Sequence, residues 1–122
     1  MRHTVRLHGV IVGHSELENV EPDVGRAWGR FRPGLGYELV QPVFRIFAQA
    51  VPRDGTTDNT LLERYYSARD ALNLELLGAD GNAIRTSAIH IADYTIEEGP
   101  AAIALDVLIP DEVYWSQRIQ RA

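Results

Sequence analysis

The chain has 122 residues, a net charge of −5 and no cysteine. A chain of this length is the usual size of one domain and can bury a core without cross-links. The missing cysteines exclude disulfides, thiolate metal sites and a cysteine nucleophile, and they favour a reducing, cytoplasmic location. We therefore expect a single domain over residues 1–122, without a signal peptide or a membrane-spanning segment.

All twelve basic residues are arginine. The lack of lysine excludes Schiff-base chemistry, and the strict use of arginine is typical of a GC-rich, bacterial genome. Residues 1–61 carry seven arginines and seven acids, whereas residues 62–122 carry five arginines and ten acids. This acidic excess disfavours nucleic acid as a partner, because nucleic-acid binding needs a basic surface that displaces counterions. The asymmetry between the halves predicts self-association through complementary charges.

The first half of the sequence predicts two strands followed by two helices. Apolar and polar residues alternate over 5–13 and again over 25–32, and an acidic connection separates the two segments. Helical spacing follows over 37–51, with Pro42 near the helix start. A capping box formed by Thr60 and Glu63 then predicts the start of a second helix.

The second half returns to the periodicity of strands. Strands are predicted over 74–78, 83–95 and 101–109, with turns at 80–82 and 97–100. Acids open and arginines close the segment 111–121, which matches the dipole of a final helix. The order β-β-α-α-β-β-β-α predicts an α+β fold, with an antiparallel sheet of about five strands and two main helices packed on it.

Cationic and aromatic side chains form the first candidate site. Pairing of the first two predicted strands would gather six residues on one surface: Arg6, His8, Arg26, Trp28, Arg30 and Arg32. Arginine binds carboxylate and phosphate through paired hydrogen bonds, and an indole can stack on a planar cation. Such a surface predicts an acidic protein partner or a small anionic ligand. The alternative is a solvated sheet face whose arginines pair with Glu75 or with other acids of the second half.

A histidine and an aspartate form the second candidate site. If Ile89 and Ile91 lie on the buried face of the last two strands, the register places His90 opposite Asp106. A carboxylate that orients an imidazole is part of many acid–base sites. The alternative is a structural hydrogen bond between two buried polar side chains. No Gly-x-Ser-x-Gly nucleophile accompanies the pair.

The sequence predicts neither a metal nor a cofactor. His8 and His14 would be about 20 Å apart on an extended strand, and no glycine-rich phosphate motif is present. Our leading hypothesis is a small, soluble, non-enzymatic binding or assembly module that joins another copy or an acidic protein through its arginine and tryptophan surface. The alternative is a small enzyme that uses His90 and Asp106 as an acid–base pair. An enzyme should open that pair to a polar pocket, whereas a module should bury it.

Overall fold

The computed structural model describes the backbone of residues 1–121 and the side chains of residues 1–118. Within this range eight strands form: His3–Leu7 (β1), Val10–Ser15 (β2), Asn19–Glu21 (β3), Arg26–Pro33 (β4), Glu75–Leu77 (β5), Ala83–Ile84 (β6), Ala88–Asp93 (β7) and Ile103–Leu108 (β8). The α-helices of the same range are Gln41–Ala50 (α1), Asn59–Ala71 (α2), Thr95–Glu98 (α3) and Glu112–Arg121 (α4). Short 3₁₀ helices cover Pro22–Val24 and Leu35–Leu39. The predicted α+β class is confirmed.

The strands form one curled antiparallel sheet in the order β6-β5-β1-β2-β4-β8-β7. β4 is an interior strand with neighbours along both edges, because it pairs with β2 and β3 on one side and with β8 on the other. The strands that carry the candidate residues, β4, β7 and β8, are therefore neighbours.

The hydrophobic core lies on one face of this sheet. Val5, Phe31 and Leu105 come from three strands, and Phe44 and Tyr65 come from α1 and α2; all five are at most 1% exposed and belong to one cluster. Burying a side chain of this kind contributes about 1.5–3 kcal/mol. The opposite face, which we call the outer face, carries the polar side chains of the central strands.

The segment 5–13 is a hairpin and not the single strand that its alternation predicted. His8 and Gly9 have positive φ values of 46° and 84°, as a two-residue type I′ turn requires, and they reverse the chain between β1 and β2. A histidine at the first turn position is not one of the residues that usually announce this turn. The hairpin places Thr4 opposite His14.

Three further elements differ from the prediction. Residues 83–95 form β6, β7 and the start of α3, where the sequence predicted one long strand. Part of the acidic connection forms β3, which pairs with β4. Asp58 caps α2 by accepting the Leu61 N–H at 3.1 Å, so the predicted cap at Thr60 lies two residues too late.

Candidate partner-binding surface

Side chains of β4 alternate between the core and the outer face. Ala27, Gly29 and Phe31 are buried, whereas Arg30 and Arg32 are exposed. The predicted polarity of this strand is confirmed. We call its outward residues the β4 arginine face: Arg26, Trp28, Arg30 and Arg32.

One end of the β4 arginine face is neutralised within the chain. The Arg26 guanidinium donates to both carboxylate oxygens of Asp106, with Nε–Oδ1 at 3.0 Å and Nη2–Oδ2 at 2.7 Å, and lies 3.4 Å from a Glu21 oxygen. These bonds to Asp106 raise the pKa of Arg26 above its ordinary value. The guanidinium also stacks on Trp28, 4.2 Å from the ring centroid. Arg26 therefore has its anionic partners already.

The other end of the face carries free cations. Arg30 and Arg32 are exposed, and neither guanidinium forms an ion pair with any side chain described between residues 1 and 118. The nearby carboxylate of Glu18 instead accepts the backbone N–H of Arg30 at 3.0 Å. The positive charge of this end is thus available to a ligand from outside the chain.

A glycine allows the loop that carries Glu18 to approach β4. A Cβ atom at Gly29 would lie 2.8 Å from the Glu18 backbone nitrogen and equally close to its carboxylate oxygens. Leu17, beside it, is fully buried and has a positive φ of 46°, so the loop is fixed from both sides. This packing holds the Arg30 backbone in place.

The predicted cluster of six residues is not one surface patch. Arg6 pairs with Glu75 at 3.2 Å, as the alternative interpretation expected, and β2 separates β1 from β4. The Nε atom of Arg6 is buried without a hydrogen-bond partner among the described residues, although 35% of the side chain is exposed. His8 lies in the turn between β1 and β2. Arg6 and His8 were grouped with the β4 residues because the alternation over 5–13 concealed the turn.

Sequence reasoning missed a second group of residues beside Arg32. Register places His14 of β2 next to Arg32, and these two residues line a hollow of about 230 Å³ together with Arg2, Ser15 and Glu16. His14 accepts or donates a 3.1 Å hydrogen bond through Nδ1 with the Thr4 hydroxyl. The signal that would have located this group is the two-residue turn at 8–9, which brings residues 4 and 14 together.

His90 and Asp106, the second candidate pair, have the predicted backbone register, but their side chains form hydrogen bonds with other residues. His90 lies opposite Asp106, but its Nδ1 atom is hydrogen-bonded to the Tyr65 hydroxyl. The Phe47 ring packs on it, with the centroids 4.3 Å apart. This burial lowers the pKa of His90 to about 4, while the Asp106 charge opposes the shift and the Arg69 charge adds to it. The ring is therefore neutral near pH 7.

The bonds of Asp106 explain why it does not orient His90. Both of its carboxylate oxygens accept hydrogen bonds from Arg26, on the other side of β8 from β7. His90 in turn bonds to a hydroxyl of α2. The sequence located the two backbones correctly, but it could not show which neighbour each side chain would choose.

No family model, curated protein or solved structure matches this chain. Among residues 1–118, no three or more His, Asp or Glu side chains are grouped so that they could hold a metal ion. No helix in the described part of the chain is long and apolar enough to cross a membrane.

Proposed function

We propose that this chain is a small binding module whose β4 arginine face takes an acidic segment of another protein. The observation that carries the proposal is the contrast along one strand. Arg26 is neutralised by Asp106, whereas Arg30 and Arg32 are exposed and form no ion pair with the side chains of residues 1–118. Guanidinium groups bind carboxylates through paired hydrogen bonds, so two free arginines on one strand face suit two acidic side chains of a partner.

Ion pairs within the chain engage much of the opposite charge that the two halves carry. Four arginines of residues 1–61 pair with acids of residues 62–122, and the pairs are Arg6 with Glu75, Arg26 with Asp106, Arg45 with Glu97 and Arg53 with Glu98. These acids are therefore not free to receive the arginines of a second copy. We accordingly favour a different acidic protein over self-association.

The enzyme alternative receives less support from the contacts. An acid–base pair needs a ring that can reach a substrate and a carboxylate that can orient the ring. Phe47 and Tyr65 enclose His90, and Arg26 engages Asp106. We interpret this group as a structural element that fixes β7 against the helices.

Equilibrium binding of an acidic peptide tests the proposal. The probe is a capped peptide of about six glutamates, titrated by fluorescence anisotropy at low salt against the wild-type chain and the double variant Arg30→Gln, Arg32→Gln. We expect the double variant to bind about three- to tenfold more weakly, since exposed charge pairs contribute about 0.2–1 kcal/mol each. Its free energy of unfolding should change by less than about 0.5 kcal/mol, because both side chains are exposed and neither guanidinium forms an ion pair with the described side chains.

The matched control is Arg64→Gln, which removes an exposed arginine of α2. Equal losses of affinity in the control and in the double variant would show that only net charge matters, and would contradict a site on β4. Sedimentation of the free protein at low salt separates the two kinds of partner. A monomer is expected, and a salt-sensitive dimer that the double variant abolishes would identify a second copy as the partner.

A further inference from the structure

We infer that the hollow lined by Arg2, His14 and Arg32 is a carboxylate subsite, where one acidic side chain of the partner docks against the His14 ring. The inference rests on the proposed function and names the chemistry of one position within that surface. It adds a titratable residue to a surface that otherwise consists of permanently charged arginines.

The hairpin and the sheet hold the His14 ring in one orientation. Thr4, His14 and Arg32 are successive partners across β1, β2 and β4, so the three side chains stand in a row on the outer face. The Thr4 hydroxyl lies 3.1 Å from Nδ1 of His14. When that hydroxyl donates, Nδ1 is the acceptor and the proton of the neutral ring resides on Nε2. The ring also forms a hydrogen bond with the backbone of His3, which raises its pKa. Protonation adds a second N–H to the ring, and a carboxylate in the hollow can accept one of the two.

The charges around the hollow favour an anion. Arg2 and Arg32 contribute two guanidinium groups, and Glu16 is the acidic residue among the described residues that line it. The Glu16 carboxylate lies 2.9 Å from the Met1 amino group, which balances its charge. Ser15 is buried, but its hydroxyl accepts the Leu17 N–H at 3.0 Å and is already used. A carboxylate that enters can therefore accept hydrogen bonds from His14 and the flanking arginines.

The arrangement gives binding a pH dependence of defined sign. Partial burial and the Arg2 charge lower the pKa of the free His14 ring below its ordinary value of 6.5. The groups that face the ring are Arg2, Thr4, Glu16, Arg32 of β4 and the backbone of His3, whose hydrogen bond opposes the lowering of the pKa. A bound carboxylate adds a negative charge beside the ring and raises its pKa. Since the complex then binds a proton that the free protein does not, affinity rises as pH falls through this range.

Two measurements test the subsite. The first is the affinity for the hexaglutamate peptide between about pH 7.5 and about pH 5, a range in which the glutamates stay largely ionised. We expect the wild-type affinity to rise about threefold or more toward the lower pH. His14→Gln keeps an N–H donor but cannot titrate, and it should remove this rise. His8→Asn is the matched control, because asparagine tolerates the positive φ of the turn, and it should behave like the wild type.

The second measurement is the pKa of the His14 ring by proton NMR, recorded for the protein alone, with acetate, with sulfate and with the peptide. An upward shift with either carboxylate supports the subsite. The subsite is rejected if neither acetate nor the peptide changes the pKa of His14. It is also rejected if the peptide affinity of His14→Gln depends on pH as that of the wild type does. Both outcomes hold even if the double arginine variant has lost affinity. A shift with sulfate but with neither carboxylate contradicts the choice of a carboxylate. If the wild-type chain does not bind the peptide but acetate raises the pKa of His14, the proposed function is rejected and the subsite is retained.

Discussion

His14 and His90 make the same local contact in two different settings. Each ring is hydrogen-bonded to a hydroxyl at Nδ1, that of Thr4 in one case and that of Tyr65 in the other. His90 is enclosed by aromatic rings of α1 and α2, and burial lowers its pKa to about 4. His14 opens onto a hollow flanked by arginines. A hydroxyl partner therefore does not distinguish a structural histidine from one that can bind a ligand.

The surroundings of the two rings make the distinction. Around His90 the aromatic rings of α1 and α2 leave the imidazole partly buried, so protonation would place a poorly solvated charge among aromatic side chains. Around His14, partial burial lowers the pKa and the Arg2 charge lowers it further, and a bound anion can offset the Arg2 charge. Removing a ligand-binding histidine should change affinity, and removing a structural histidine should change stability.

Acid titration of stability gives the largest expected effect. His3 is fully buried, with Nε2 3.0 Å from the Tyr114 hydroxyl, and its pKa is also about 4. Between pH 6.5 and about 4 the unfolded chain therefore binds protons at His3 and His90 that the folded chain does not, so stability is lost as pH falls. The loss should approach about 2–3 kcal/mol per histidine, measured by urea unfolding at a series of pH values.

Substitution of each histidine sharpens this expectation. His90→Gln should reduce the acid-dependent loss of stability, because one of the two suppressed titrations disappears, although the variant is less stable at pH 7. His14→Gln should change the pH dependence of stability far less. If His90→Gln unfolds with the wild-type dependence on pH, the ring is not held neutral and the contrast between the two histidines fails.

A smaller effect is expected from Tyr65→Phe, which keeps the aromatic ring and removes the hydroxyl bonded to His90. The loss of a buried hydrogen bond should cost about 1–2 kcal/mol in the free energy of unfolding. Affinity for the acidic peptide should not change, since Tyr65 lies in the core and not on the β4 arginine face. A marked loss of peptide affinity in this variant would mean that the group at His90 belongs to the binding site.

Sequence periodicity was sufficient for the fold class, the polarity of β4 and the register of His90 against Asp106. Each of these follows from alternation and from the preference for burying apolar side chains. The turn at His8 was missed because a local pattern of alternation continues across it, and only the positive φ values distinguish a hairpin from a strand. That error placed Arg6 and His8 directly beside β4, from which β2 separates them, and concealed His14.

The partners of individual side chains could not be predicted for a different reason. Asp106 lies on β8, between two strands that each carry a possible partner. Arg26 is on β4 and His90 is on β7. The bidentate bond to a guanidinium is stronger than a single bond to a neutral imidazole, but this choice depends on the strand order. The order of the strands cannot be read from one sequence. β4 precedes its partner β8 by more than seventy residues, and no local pattern indicates that the two strands pair.

Mapping of the peptide on the protein surface tests the central claim most directly. In a titration of ¹⁵N-labelled protein with hexaglutamate, we expect the largest amide shifts at Arg30, Arg32 and His14, and little change at Arg26, whose partner is Asp106. Shifts concentrated on α1 and α2, or on the His90 strand alone, would contradict a binding site on the β4 arginine face.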